Sequence, residues 1–440
     1  MLESPATMPS VAAATAPPPS SIADTLPMRP VPVSSEERIK FLDALRGFAV
    51  FGILLANIHV FSGYTWLSAE RKAQLWSVKA DQVSTFLMHF LVEGKFYSLF
   101  SFLFGLGFAI QMMRAQKRGV PFVPLFRRRL FILLLIGFAH AFFIWTGDIL
   151  AVYAMTAFLL IPFRKRRDKT LLIWAGALLL FPILQYSLMV LGASMQPPSA
   201  PDPNAQAQRD NMMNWLINTM STGSYFDILK VNTLGVLFRY MDLFYTSRFP
   251  KVLAMFLLGF YAGRREIFQN IHLHLDLARR VLWWGLGVGL TFNLLLAVLM
   301  ETHDYYQTSP LGILQTFAYA IGVPALCLCY IAALTLLWQK PRGRKMLSLL
   351  TPVGRMALTN YLLQSVICVL IFYGYGLGYF GRVGAALALA LAVGIFLVQI
   401  PLSALWLKYF RYGPVEWVWR QLTYRRRLPL RLDSKQPALP

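Results

Sequence analysis

The chain has 440 residues, 57% of them hydrophobic and only 14% charged. Soluble domains carry nearer a quarter charged residues, so the balance excludes an ordinary soluble globular protein and points to a polytopic membrane protein. The formal net charge of +22 does not signal nucleic acid, because the basic residues fall in short loops and no basic domain stands apart from the apolar runs.

The first 37 residues, "MLESPATMPSVAAATAPPPSSIADTLPMRPVPVSSEE", are rich in Pro, Ala and Ser. They lack a basic segment followed by an apolar one, so they read as a disordered tail and not as a secretory signal. A spanning helix needs about 20 mostly apolar residues. The rest of the chain offers about ten such stretches, at roughly 41–61, 86–112, 128–146, 148–163, 170–191, 250–263, 280–300, 311–338, 354–375 and 384–407. The fold class expected is therefore all-α, a polytopic membrane helical bundle. It divides into a tail (1–37), an N-terminal membrane half (38–191), an extracytoplasmic loop with an interfacial segment (192–249), a C-terminal membrane half (250–427) and a final tail (428–440).

The first span, "FLDALRGFAVFGILLANIH", keeps polar groups that are costly in lipid. Asp43 and Arg46 are three apart and share a helix face. Eleven residues on from Arg46, nearly whole turns, stands Asn57, so the three form one stripe about 20 Å long. Such a stripe faces a bundle interior or a wet cavity. Salt bridging and helix packing, with Gly47 and Gly52 allowing close approach, is the plain structural alternative. His59 points elsewhere.

Glu93 and Lys95 stand at the outer end of the second span, where a boundary role competes with a place on a substrate path. The third span ends in "HAFFIWTGDIL". His140 lies inside the apolar run and Asp148 just past a Thr-Gly break. A histidine can accept and return a proton near neutrality, and a carboxylate beside it would orient it. A histidine bonded to a neighbouring helix is the bland alternative. The segment 192–245 begins as Pro- and Ala-rich linker, "MQPPSAPDPNAQAQ", and continues with mixed aromatic and polar residues suited to the outer interface. In the ninth span Arg355, Asn360 and Gln364 either glue helices or line a cavity. Trp417, Trp419 and Arg420 suit an interfacial anchor.

Lys and Arg concentrate after alternate spans: "RRR" at 127–129, "RKRRDK" at 164–169, Arg264 and Arg265, "KPRGRK" at 340–345 and "RRR" at 425–427. The positive-inside rule places both termini in the cytoplasm. The three cysteines, Cys327, Cys329 and Cys368, lie in apolar runs without metal or disulfide spacing. No phosphate loop, zinc helix motif or serine elbow occurs, and six scattered histidines give no metal expectation.

Five stretches in order, "RIKFLDALRGFAVFGILLANI", "GKFYSLFSFLFGLGF", "RRRLFILLLIGFAHAFFIWTGDILAVYA", "GRMALTNYLLQS" and "GPVEWVWRQLTY", resemble the YeiB-type family of bacterial inner-membrane proteins, whose C-terminal half is the domain of unknown function 418. That family is similar to the wider transmembrane acyltransferase group, which opens on a Leu-Asp-x-Leu-Arg pattern matched by Leu42, Asp43, Leu45 and Arg46. One branch of that group keeps a catalytic histidine where this chain has Asn57. Another uses His, Trp and Asp in an order that His140, Trp145 and Asp148 follow with different spacing. The resemblance implies a multi-pass inner-membrane protein that moves an acyl group from a cytoplasmic thioester, such as acetyl-CoA or another acyl-CoA, to an envelope glycan or lipid. His140 would be the base and Asp148 its orienting partner. Asp43, Arg46, Asn57, Glu93, Lys95, Arg355, Asn360 and Gln364 would line the path. A transporter without covalent chemistry, and an assembly protein whose polar pairs are packing glue, fit the same residues.

Overall fold

The computed structural model describes residues 39–75, 77–195 and 204–432. The expected disordered tail (1–37), the linker stretch 196–203 and residues 433–440 lie outside them. The described chain is helical and has no β-strand. Its elements are α1 (Lys40–Phe61), α2 (Ala69–Ala73), α3 (Val78–Leu87), α4 (Lys95–Lys117), α5 (Phe122–Phe143) and α6 (Leu150–Phe158). There follow α7 (Asp168–Ser194), α8 (Ala205–Thr222), α9 (Tyr225–Tyr245), α10 (Arg248–Arg264), α11 (Leu275–Thr302) and α12 (Pro310–Gln339). The chain closes with α13 (Pro341–Ser348), α14 (Thr351–Arg355), α15 (Ala357–Phe372), α16 (Ala385–Tyr409) and α17 (Pro414–Tyr424). This is an all-α polytopic bundle. Six helical runs, α1, the run Val78–Lys117, α7, the run Ile271–Thr302, α12 and α16, are long and apolar enough to cross a bilayer. Helices α5, α6, α10 and the α14–α15 pair lie at the other four expected spans.

Between spanning helices lipid tails are as apolar as leucine, so close backbone packing replaces the hydrophobic effect as the cohesive force. Small residues mark those contacts. A Cβ on Gly259 of α10 would meet the Phe102 carbonyl oxygen at 1.9 Å, and one on Gly105 of α4 would meet that of Phe256 at 1.9 Å. Helices α4 and α10 therefore touch backbone to backbone. Gly354 likewise abuts the Asp43 carbonyl, at 1.7 Å from a notional Cβ, which holds α14 against α1. The apolar windows of α1 and of Val78–Lys117 are 61% buried, whereas that of α7 is 22% and those of α11 and α16 are 28%. The first group forms the centre, and the second turns leucines and tryptophans such as Trp283 and Trp284 outward, where lipid covers them.

The run Val78–Lys117 is not one smooth helix. A π-helical turn, Met88–Val92, is followed by Glu93 and by Gly94 at φ +81°. That left-handed backbone favours glycine, and a Cβ there would also strike the Tyr319 hydroxyl at 2.5 Å. Freed carbonyls find partners: Lys95 Nζ donates to His89 O at 2.8 Å and the Tyr330 hydroxyl to Leu91 O at 2.9 Å.

The basic loops gather at one end of the bundle. Arg264 donates to the Arg166 carbonyl, Asp168 pairs with Arg264 and Arg265, and the Arg129 guanidinium lies 4.0 Å from the Trp419 ring centroid. At the opposite end the segment read as interfacial forms α8 and α9. On α9 Leu234, Leu237, Phe238, Met241 and Phe244 make an apolar strip, each at least 60% exposed. Such a strip belongs against lipid.

Candidate functional site

A cavity of about 270 Å³ opens among the basic loops and runs into the bundle between α1, α4, α5, α6, α14 and α15. Five arginines, Arg46, Arg114, Arg129, Arg355 and Arg420, line it together with two acids, Asp43 and Glu416. Its deeper wall is apolar, with Val50, Ile53, Phe100 and Leu133, and it includes Tyr153 and Tyr361.

Each charged group arrives by a local structural cause. Asp43 is buried and pairs with Arg46 at 2.6 Å across one helical turn. The contact of Gly354 with the Asp43 backbone carries the neighbouring Arg355 to the same wall. Arg129 projects from the first turns of α5 and is clamped by α17, since Trp419 Nε1 donates to the Arg129 carbonyl at 3.0 Å. Glu416 is consumed structurally. Its Oε1 accepts the backbone N–H of Leu358 at 2.7 Å and of Thr359 at 3.1 Å, and its Oε2 accepts the Thr359 hydroxyl at 2.5 Å. It thereby caps the start of α15. Burial nevertheless pushes its carboxyl above the usual range, against those hydrogen bonds. The mouth is thus strongly positive.

The sequence-level stripe of α1 meets this cavity along part of its length. Asp43, Arg46, Val50 and Ile53 line it, and Asn57, one turn beyond Ile53, does not. His140 and Asp148 are not part of its lining. His140 Nδ1 and Asp148 Oδ2 are 2.8 Å apart, both side chains almost fully buried. Asp148 Oδ1 accepts the Ala151 N–H at 2.7 Å, which fixes the carboxylate at the start of α6. A carboxylate only accepts, so it holds the imidazole proton on Nδ1 and leaves a lone pair on Nε2. That Nε2 is buried without a hydrogen-bond partner. The Tyr361 ring, which lines the cavity, has its centroid 5.3 Å from that of His140, and Ile149 and Leu150, next to Asp148 in the chain, line the cavity too. Trp145 stacks on Phe61 at 4.0 Å and packs near His140.

Other expected path residues lie elsewhere. Asn360 bonds Ser403 at 3.0 Å and Gln364 bonds Gln399 at 2.8 Å, two rungs joining α15 to α16 away from the cavity. Lys95 is buried on its bond to His89, and Glu93 sits at the opposite end of α4 from the arginines. Sequence reasoning missed that Arg114, Arg129, Arg420, Tyr153 and Tyr361 line one cavity. In the sequence Arg114 and Arg129 read as basic-loop residues and Arg420 as part of an interfacial anchor, and two tyrosines in apolar runs carry no signal of their own.

Residues 262–426 match the family model described as Protein of unknown function (DUF418). The uncharacterized protein YxaH of Bacillus subtilis (strain 168) is 36% identical over 418 residues, 92% of this chain and 98% of that protein. An uncharacterized 39.9 kDa protein in the amylase 3' region of Bacillus acidopullulyticus is 31% identical, covering 92% of this chain and 99% of its own length. The uncharacterized protein YeiB of Escherichia coli (strain K12) is 29% identical, covering 88% and 97%. No solved structure matches the chain.

Proposed function

Because the chain belongs to the YeiB-type family of membrane proteins, whose named relatives are uncharacterized, we propose its function from its own site: transfer of an acyl group from a cytoplasmic thioester to an acceptor at the far side of the membrane. In this reading the basic end faces the cytoplasm of a bacterial inner membrane. The observation that carries it is the arginine-rimmed cavity whose lining includes Tyr361, the ring packed 5.3 Å from that of His140 in the His140–Asp148 pair.

The residues suit an acyl-coenzyme A donor. Guanidinium groups match phosphates bidentately, and Arg46, Arg129, Arg355 and Arg420 would take them at the mouth. The apolar slot beyond has the character for an acyl-pantetheine arm, with the nucleotide left outside. At the inner end an acceptor hydroxyl or amine attacks the thioester carbonyl while His140 Nε2 removes its proton. The carbon–sulfur bond breaks, and the leaving thiolate takes that proton to become the free thiol. Asp148 acts through His140, by holding its tautomer and position.

Purified protein in detergent, supplied with labelled acetyl-CoA and an envelope extract, should move label into the extract and release free thiol. His140→Ala should abolish both while inserting normally into membranes. Arg129→Gln should raise the KM for acetyl-CoA about tenfold, with a smaller change in kcat, because it removes a contact made equally before and during reaction. Solute uptake into vesicles without thioester consumption would establish a transporter instead.

A further inference from the structure

A second group of cations lies at the end opposite the arginine mouth. Arg248 and Lys251 are three residues apart on α10 and share a face. The Arg248 guanidinium lies 4.3 Å from the Tyr97 ring centroid, and Lys251 Nζ lies 4.2 Å from that of Tyr319. No carboxylate is within ion-pair distance of either among the described residues, and Arg248 Nε is buried without a hydrogen-bond partner. The acids nearby, Glu93 and Asp242, act on both cations only from a distance. Asp242 is already engaged, by Arg239 at 3.1 Å and by the Tyr306 hydroxyl at 2.6 Å.

The local fold is built to put these cations there. Ser247, just before α10, sits at φ +51°, a left-handed backbone uncommon outside glycine. Gln185 of α7 clamps the turn, accepting from the Ser247 hydroxyl at 2.5 Å and donating to the Phe244 and Tyr245 carbonyls. The tyrosines supply further donors. The Tyr319 hydroxyl donates to that of Tyr97 at 3.2 Å, which leaves the Tyr97 hydrogen available. The Tyr245 hydroxyl is buried and unpartnered. Arg248, Lys251 and Tyr97 thus offer donors with no carboxylate at ion-pair distance of the two basic groups, and a half-buried donor set of that kind is satisfied by an oxyanion.

We propose that this cluster of donors binds a phosphate group carried by the acceptor. It rests on the acyl-transfer reading only for the word acceptor. The cluster is tied to the donor cavity: the Tyr153 hydroxyl donates to the Tyr97 carbonyl at 2.7 Å, and Tyr153 itself lines that cavity. A phosphate held over Tyr97 and Tyr319 would place a hydroxyl or amine attached to it on the Tyr153 side of the donor cavity. The apolar strip of α9, which precedes Arg248 in the chain, offers a bed for a lipid tail.

The test is calorimetric titration of the full chain in detergent, without any acyl donor, in an Arg129→Gln background that weakens the other anion site. The probes are glycerol 3-phosphate, dihexanoyl phosphatidylglycerol and, as the uncharged control, dihexanoylglycerol. A phosphate probe should bind and the control should not. Affinity should fall at least tenfold in Arg248→Gln and in Lys251→Gln and severalfold in Tyr97→Phe, and it should survive in Lys251→Arg. Equal binding of both phosphate probes assigns the site to a soluble phosphate ester, and binding of the lipid alone assigns it to a headgroup. Absence of phosphate binding, or affinity unchanged in both the Arg248→Gln and Lys251→Gln proteins, would overturn the proposal. Intact binding in a protein that transfers no acyl group would instead refute the function proposed above and leave this site standing.

Discussion

Asp148→Asn tests the chemistry with the least disturbance to the fold. The carboxylate accepts twice, from His140 Nδ1 at 2.8 Å and from the Ala151 N–H at 2.7 Å. An asparagine keeps both contacts: its carbonyl oxygen accepts the Ala151 N–H, and its amide donates to Nδ1. Stability should therefore change by only about 1 kcal/mol. The proton logic, however, reverses. With an amide donor facing Nδ1, the imidazole proton moves to Nε2 and the base is lost. The same exchange in a serine-protease triad costs about 10⁴ in kcat. A comparable fall, on the order of 5 kcal/mol of transition-state stabilisation, is expected here. Free-thiol release from acetyl-CoA reports it cleanly, because Cys327, Cys329 and Cys368 are all buried and contribute little background. A thermal unfolding curve on the same sample checks the fold. Acyl transfer within about threefold of the unchanged protein would remove the tautomer argument, and His140 with it.

Two further outcomes follow from the packing. Gly259→Val would place carbon where the Phe102 carbonyl already stands, at 1.9 Å from a Cβ, so α4 and α10 must part. A loss of about 3 kcal/mol or more, near the top of the overpacking range, should appear in thermal unfolding, and a loss under about 0.5 kcal/mol would contradict the backbone contact. Glu416 titrates higher folded than unfolded because it is buried, so the folded state binds the extra proton. Its contribution is most favourable below the ordinary carboxyl range and is lost as pH rises through the raised value. Glu416→Gln should flatten that part of the stability–pH profile while keeping the cap on α15. A profile unchanged by the substitution would place the titration elsewhere.

Much of this protein is written locally. Length and apolar runs set the helices, since a backbone in lipid must satisfy its own hydrogen bonds and the helix does so within one segment. Every expected span coincides with a helix or a short helix pair, and the charged loops sort to one end. Helical periodicity also placed Asp43 and Arg46 on one face, and spacing put His140 and Asp148 within a loop of each other. What it did not reveal is which polar residues share a space. Arg46 comes from α1, Arg129 from α5, Arg355 from α14 and Arg420 from α17, and only their packing makes one mouth of them. Asn360 and Gln364 looked equally suited to that path, yet they join α15 to α16, because the side from which a neighbouring helix arrives is not encoded in their own segment. The left-handed turn at Ser247 and the π turn before Glu93 were likewise invisible, being fixed by contacts from α7 and α12. Sequence alone determined the elements, their lipid-facing character and the pairs close in the chain. Tertiary structure decided which side chains share a space, because Arg46 and Arg355, or Tyr97 and Tyr319, stand hundreds of residues apart and meet only through packing such as that of Gly354 on the Asp43 carbonyl, which no local pattern specifies.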